Sequence, residues 1–167
     1  MMMEKWLKQT KNEKGLTLVE LLAVVVILGI IAAIAVPSIG GIIDNSKKDA
    51  HVANAQQMVS SARLAVTGNP NLQPSEGASV FLPLAYLENN GYVEEIKSPD
   101  NELYVKGDNN TTAPTTGSYV EVIRETGETQ FKYSVRLYNS YRGVQTGTDA
   151  IDSTDLNRDK VNETPTP

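Results

Sequence analysis

The chain contains no cysteine among its 167 residues. Disulfide bonds, thiolate metal sites and cysteine nucleophiles are therefore excluded. The chain has one histidine, His51. Neither a multi-histidine zinc site nor a conventional Ser-His-Asp site is therefore expected. The sequence also lacks a nucleophile elbow, a P-loop and a dinucleotide-binding motif. We therefore expect no enzymatic activity and no cofactor.

Charge is nearly absent from one part of the chain. Residues 1–15 carry four lysines and two glutamates, a net charge of +2, and residues 16–43 hold Glu20 as their one ionisable side chain. Residues 44–167 carry 11 basic and 17 acidic groups, a net charge of −6. This acidic part argues against broad nucleic-acid binding, because neutralising phosphates requires a basic surface.

The uncharged segment predicts a membrane-spanning helix. Residues 21–43 are 23 residues without a charge, and a helix of that length spans about 35 Å, against about 30 Å for a hydrocarbon core. Lysines precede this segment, which predicts a cytoplasmic N-terminus. Two ordinary explanations are a plain membrane anchor and a secretory signal cut after Ala35, since residues 33–35 (Ala-Ile-Ala) have the small-x-small pattern of a cleavage site.

A third explanation starts from Glu20, which lies at the leading edge of the apolar segment. A carboxylate inside a membrane helix costs about 2–3 kcal/mol on the lenient insertion scale, so it indicates a function that involves a partner. The alternative is that Glu20 reaches back to the lipid headgroups.

The residues around Glu20 resemble a known leader. The sequence Lys14-Gly15-Leu16-Thr17-Leu18-Val19-Glu20, followed by an apolar run, is similar to the class III leader of type IV pilins and pseudopilins. This resemblance implies that a prepilin peptidase cuts between Gly15 and Leu16 and methylates the new amino group of Leu16. The apolar run is then retained. Leucine follows the junction here, where phenylalanine is commoner in the family.

The resemblance also implies how the chain assembles. Glu20 would neutralise the amino terminus of a neighbouring subunit, and Gly29 and Pro37 fall where such filaments have a loosened, flexible stretch of helix. The implied partners are other copies of this chain, the prepilin peptidase, an assembly ATPase and membrane platform proteins. The implied location is first the membrane and then an extracellular surface filament. The missing cysteines favour a host with a single membrane, because many major pilins of two-membraned bacteria close a C-terminal loop with a disulfide.

Three functions follow from these features. The first is a structural subunit of a type IV pilus-like filament. The second is a competence or type II secretion pseudopilin of the same family. The third, from a different class, is a secreted or anchored binding module with an ordinary signal peptide cut after Ala35.

The sequence predicts an α+β fold, in which a small antiparallel sheet packs on the outer half of a long N-terminal helix. The resemblance implies the same arrangement, a type IV pilin-like fold. The expected helix runs from Leu16 to about Thr67. Beyond residue 43, apolar residues recur at helical spacing and form one face. This face is composed of Val52, Ala55, Val59, Ala62 and Val66. The expected divisions are a cleaved leader, an apolar helix, an amphipathic helix, a globular part and an acidic flexible tail. Their bounds are residues 1–15, 16–43, 44–67, 68–148 and 149–167.

The clearest strand pattern is a hairpin formed by residues 119–125 and 129–138 around Thr126-Gly127. Its second strand alternates apolar residues with Lys132, Ser134 and Arg136, which predicts one face on the helix and one in solvent. The remaining expectations are shorter. Residues 68–80 read as a loop, 81–87 as a helical turn or two, and 103–105 and 143–147 as short strands.

Three further groups of residues are candidate functional sites. Asp155, Asn157 and Asp159 match the first ligand positions of an EF-hand loop, but Lys160 occupies the place that needs glycine. We therefore predict no metal site. The calcium candidates that remain are Asp149, Asp152, Asp155 and Asp159.

Basic and aromatic residues near the hairpin are the second group, and they could bind single-stranded DNA. They are Arg124, Lys132, Arg136, Arg142, Tyr138 and Tyr141. The net charge makes direct nucleic-acid binding the weaker interpretation. His51, the third candidate, is interpreted as a polar surface residue.

Overall fold

The computed structural model describes residues 3–109, 111, 116–163 and 165, and for residues 3–16 it describes the backbone alone. The chain divides into two compact units, Met1–Asp44 and Asn45–Pro167. We refer to the second unit as the head and to residues 17–43 of the first unit as the anchor segment.

Helix α1 spans Met3–Gly68 and contains Pro37. Its predicted end near Thr67 agrees with the structure to within one residue, but its predicted start at Leu16 is wrong, because the leader backbone is helical from Met3. The leader has three methionines, four lysines and two glutamates, which favour helices, and it has no proline. At the other end Asn69 and Pro70 begin a short 3-10 turn, Pro70–Leu72.

The predicted apolar face of α1 is buried in the head. Its members and the further residues Met58 and Ala65 are at most 9% exposed. They share one core with side chains of the sheet, such as Leu82, Val122 and Val135. The α+β arrangement predicted from the sequence is therefore confirmed.

The predicted hairpin is also confirmed. Strand β2 (Tyr119–Arg124) pairs antiparallel with β3 (Lys132–Tyr138), with Val122 opposite Tyr133. Strand β1 (Ala78–Pro83) pairs with the other edge of β2 and is followed directly by the short helix α2 (Leu84–Asn89). The loop expected over 68–80 thus ends earlier than predicted, and residues 81–83 are strand rather than helix. No strand forms at 103–105 in the described residues.

The C-terminal segment differs most from its prediction. Instead of a loose tail from Asp149, β5 (Ile151–Asp152) pairs with β3, and β6 (Val161–Asn162) pairs with β4 (Gly143–Val144). Buried Ile151 and Val161 join the core. Ion pairs add to this, since Arg158 Nε lies 2.7 Å from Asp49 Oδ1 on α1. In the described residues the sheet therefore has six strands, in the order β1-β2-β3-β4-β6 with β5 beside β3.

Two glycines cross at the base of the segment between α2 and β2. Gly107 and Gly117 both have positive φ, 72° and 97°. A Cβ added to Gly117 would lie 2.3 Å from the Gly107 Cα, so no larger residue fits at this crossing. Hydrogen bonds on both sides hold it, from the Ser118 amide to the Val105 carbonyl at 2.7 Å and from the Gly117 amide to the Tyr138 hydroxyl at 3.1 Å.

Candidate membrane anchor and processing site

The anchor segment presents apolar side chains on every side of α1. Sixteen large aliphatic residues between Leu18 and Ile43 are each 48–72% exposed. A helix that is apolar all round requires burial by a membrane or by other helices. The helix is long and apolar enough to cross a membrane, although a signal sequence can be equally long and apolar.

Glu20 is the single carboxylate within this apolar surface, and it is exposed. Its carboxylate makes no hydrogen bond or ion pair with another residue that the structure describes. An ionisable group in such a segment requires a partner, and the described chain does not supply one. At Gly15 and Leu16, the predicted processing site, the structure describes only the backbone, which is helical.

The predicted flexible positions lie inside a continuous helix. Neither Gly29 nor Pro37 interrupts α1. A Cβ added at Gly29, Gly40 or Gly41 would have no neighbouring atom within 4 Å. Proline inside a helix removes one backbone hydrogen bond, and glycine has weak helix propensity. Flexibility at these positions therefore stays a prediction.

His51 is buried rather than exposed, so its prediction as a surface residue is wrong. Its Nε2 lies 2.6 Å from Asp100 Oδ2, and its Nδ1 lies 2.8 Å from the Tyr104 hydroxyl. The Asn54 amide donates to the same hydroxyl at 3.0 Å. A signal was present in the sequence, because residues 51, 55, 58, 62 and 65 form a second row at helical spacing beside the predicted one.

This network joins a hydroxyl, an imidazole and a carboxylate, as nucleophilic active sites do, but its geometry argues against catalysis. Tyr104 is only 3% exposed. Burial raises the pKa of Tyr104 to about 12, against hydrogen bonds from Asn54 and Ser98 that lower it. An inaccessible phenol that resists ionisation is a poor nucleophile.

Asp100 joins three parts of the head. Burial opposes ionisation of Asp100, but the hydrogen bond from His51 and the charges of His51 and Arg142 outweigh it, so the pKa of Asp100 is lowered. Lys47 Nζ lies 3.6 Å from the carboxylate, and Asn139 Nδ2 lies 3.5 Å from it. The network therefore attaches the 97–102 and 139–142 loops to α1, which is a structural role.

The calcium candidates do not form a cluster. Among the described residues, no group of three or more acidic or histidine side chains is placed to hold a metal. Asp149 forms an isolated bridge with Thr146, Asp152 belongs to β5, and Asp159 lies in the 3-10 turn Arg158–Lys160. Asp155 lies between these two elements.

Three of the basic candidates for DNA binding lie against other residues of the head. Arg136 is 3% exposed, with Cζ 4.6 Å from the centre of the Tyr138 ring and Nε 3.2 Å from Gln145 Oε1. Lys132 pairs with Glu125 at 2.7 Å, and Arg142 faces Asp100 at 3.9 Å. The charges of Lys132 and Arg142 are therefore partly compensated by carboxylates of the head, and Arg136 is buried.

A long apolar N-terminal helix followed by a small antiparallel sheet is the arrangement of type IV pilin-like proteins. Residues 10–36 match the family described as the prokaryotic N-terminal methylation motif. The chain thus carries the class III prepilin leader of type IV pilins and pseudopilins, and the matched segment includes Gly15, Leu16, Glu20 and Gly29. Neither the comparison with curated proteins nor the comparison with solved structures returned a match.

Proposed function

We propose that this chain is the structural subunit of a type IV pilus-like surface filament. The observation that carries this proposal is the N-terminal methylation motif at residues 10–36, which runs into a helix segment that is exposed and apolar on every side. A structural role is further supported by the buried position of Tyr104 and His51, the residues that most resemble an active site.

In this proposal the precursor is an integral membrane protein with its lysine-rich leader in the cytoplasm and its head outside. A prepilin peptidase cuts between Gly15 and Leu16 and methylates the new amino group of Leu16. The anchor segment stays with the mature subunit. An assembly ATPase and membrane platform proteins then extract the subunit, because moving so much apolar surface out of lipid requires coupled work.

Glu20 sets the axial position of each subunit. After cleavage, Leu16 carries a positive amino group, and a carboxylate from an adjacent copy compensates it in the apolar filament core. The lack of a partner for Glu20 among the described residues supports this assignment. Gly29 and Pro37 supply the helix flexibility that a filament under tension uses.

The first experiment is intact mass and N-terminal sequencing of the protein from sheared surface material of its native host. The expected chain starts at methylated Leu16. A chain starting at Val36 in the medium would overturn the proposal and identify a secreted binding module. A methylated chain that stays in the membrane fraction and never reaches sheared material would indicate a pseudopilin instead.

A substitution at Glu20 tests assembly separately from processing. We expect Glu20→Ala and Glu20→Gln to be cut, methylated and membrane-bound, yet reduced at least about tenfold in the sheared fraction, because each leaves a buried amino group without its counter-charge. Glu13→Ala is the matched control. It also removes a carboxylate, but one that leaves with the leader, so its filament yield should equal that of the wild type. Normal assembly of both Glu20 variants would contradict the proposed role.

A further inference from the structure

Arg63 is held in place on the exposed face of α1 without any carboxylate. Its Cζ lies 4.8 Å from the centre of the Tyr133 ring, a cation–π contact. With the residues that the structure describes, its guanidinium makes no hydrogen bond or ion pair. The ring therefore orients the guanidinium while its N–H donors stay open.

Other basic side chains of the head are used differently. Each of four pairs with a carboxylate at 2.5–3.6 Å, and these pairs are Lys47 with Asp100, Lys106 with Glu88, Lys132 with Glu125, and Arg158 with Asp49. Arg63 is thus a positioned cation whose hydrogen-bonding capacity is available to a ligand. A planar guanidinium is suited to bind a carboxylate through two parallel hydrogen bonds.

Two adjoining pockets meet at Arg63 and Ser153. One has a volume of about 310 Å³ and the other about 200 Å³. The larger lies at the lower end of the range for small-molecule sites, which is about 300–1,000 Å³. Besides the two shared residues, the larger pocket is lined by Gln130, Phe131, Lys132, Tyr133, Asp152 and Thr154. The smaller adds Gln56 and Ser60 of α1.

Asp152 restricts what the larger pocket accepts. Its Oδ1 accepts hydrogen bonds from the Thr154 amide at 2.8 Å and the Thr154 hydroxyl at 2.7 Å. Its Oδ2 has no hydrogen bond within the described residues, so it can accept from a ligand. The hydrogen bonds from the Thr154 amide and hydroxyl also lower the pKa of Asp152, which keeps it ionised at neutral pH.

Because Lys132 is already paired with Glu125, the ligand must satisfy one unpaired cation, Arg63, and one anion, Asp152, in the same pocket. A polyphosphate or nucleic acid satisfies Arg63 but brings further negative charges toward Asp152. A neutral sugar satisfies Asp152 and the glutamines but leaves Arg63 unused. A sugar acid provides a carboxylate for Arg63, hydroxyl donors for Asp152 and Gln130, and a C–H face for half-buried Phe131.

We propose that the pocket between Arg63 and Asp152 binds an acidic saccharide of the uronic acid class, with the sugar carboxylate on Arg63 and its hydroxyl groups on Asp152. All of these residues lie in the head. The site therefore does not depend on filament assembly.

The test is a binding titration of the full-length chain in non-ionic detergent with trigalacturonate, followed by saturation-transfer NMR of the sugar. We expect saturable binding that weakens at least about tenfold when the sugar is fully methyl-esterified, and to the same extent in Arg63→Ala. Lys97→Ala is the matched control, because Lys97 is an exposed lysine of the same head without an ion pair in the described residues. Its affinity should stay within about twofold of the wild type.

Several outcomes would overturn the proposal. They are no saturable binding below about 10 mM, equal binding of the methyl ester, or equal losses in Arg63→Ala and Lys97→Ala. Tighter, Arg63-dependent binding of a single-stranded thymidine oligonucleotide would assign the site to nucleic acid instead. Near-UV circular dichroism checks the fold of each variant. If Arg63→Ala is unfolded, Arg63→Lys replaces it, since it keeps the charge but loses the planar fork, and it should still weaken binding.

Discussion

Val25 and Val66 lie on the same helix, but their surroundings are opposite. Val25 of the anchor segment is 58% exposed, and Val66 of the head is 1% exposed. The head covers its part of α1 with its own sheet. The described chain offers no such cover to the anchor segment, although that segment is the more apolar of the two. An apolar helix surface must be buried against a partner. The described chain buries only the part of α1 that lies in the head.

The two parts of α1 also differ in how specifically their side chains pack. In the head, the buried face of α1, which includes Ala55 and Ala62, shares one core with the sheet, and a close-packed interior gives each side chain defined neighbours. In the anchor segment large aliphatic residues occur on all sides, which suits lipid and neighbouring helices alike. One part of α1 is therefore built for a single arrangement, and the other is compatible with two environments.

The largest expected effect comes from a charge placed at the centre of the helix–sheet core. Ala62 is fully buried, so Ala62→Asp puts an unpaired carboxylate among apolar groups and should cost about 3 kcal/mol or more of unfolding free energy. All seven tyrosines lie between residues 86 and 141, so the near-UV circular dichroism of tyrosine reports on the head. Ala53→Asp on the exposed face of the same helix is the control and should retain this signal. Loss of the signal in both variants would show that the low helix propensity of aspartate, rather than burial of its charge, unfolds the head.

An identical substitution in each part of α1 compares them directly. Val66→Ala should lower the free energy of unfolding of the head by about 2 kcal/mol, because it removes buried methyl groups and leaves a small cavity. Val25→Ala should leave that free energy unchanged, and both variants gain the same helix propensity. Denaturant titration of the full-length chain in detergent, followed by tyrosine circular dichroism, measures both. Equal losses would mean that the anchor segment contributes to the core of the head.

The smallest effect at neutral pH is expected for Tyr104→Phe, which tests the polar part of the head's core. Loss of the hydroxyl should cost about 1 kcal/mol. Because burial raises the pKa of Tyr104 to about 12, its neutral form stabilises the fold fully below pH 10, and this stabilisation is lost as the pH rises toward 12. That loss amounts to about 3 kcal/mol in the wild type and is absent from the variant.

The stability difference between wild type and Tyr104→Phe should therefore shrink above pH 10 and then reverse. Denaturation midpoints between pH 8 and pH 12 measure it. Tyr141→Phe, at a position 57% exposed, should follow the wild-type profile throughout. A difference between wild type and Tyr104→Phe that does not change with pH would show that Tyr104 ionises without opposing the fold.

Local patterns predicted a large share of this structure. The helical face from Val52 to Val66, the β2–β3 hairpin and the apolar anchor segment each repeat a period or extend long enough to be read from the chain alone. The leader residues Gly15, Leu16 and Glu20 were predicted from a short, specific motif, and the matched family covers them.

Contacts between residues that are distant in sequence could not be predicted from local patterns. Strands β4, β5 and β6 are two residues each, too short for any period, and they form because β3 and each other supply hydrogen-bond partners. Arg136 alternates onto the outer side of β3 as predicted, yet Tyr138 and Gln145 cover it. His51 is polar and was assigned to the surface, although Asp100 and Tyr104 satisfy both of its ring nitrogens. In each case the deciding partner is distant in sequence.

The crossing of Gly107 and Gly117 has a consequence for how the head can vary. Because the Gly107 and Gly117 backbones touch, the two ends of the segment between them are held close together. Doubling the length of such a closed segment costs only about 0.6 kcal/mol of chain entropy. The segment between the two glycines should therefore tolerate insertions. We expect an epitope inserted between residues 108 and 116 to leave β2 and Tyr138 unchanged.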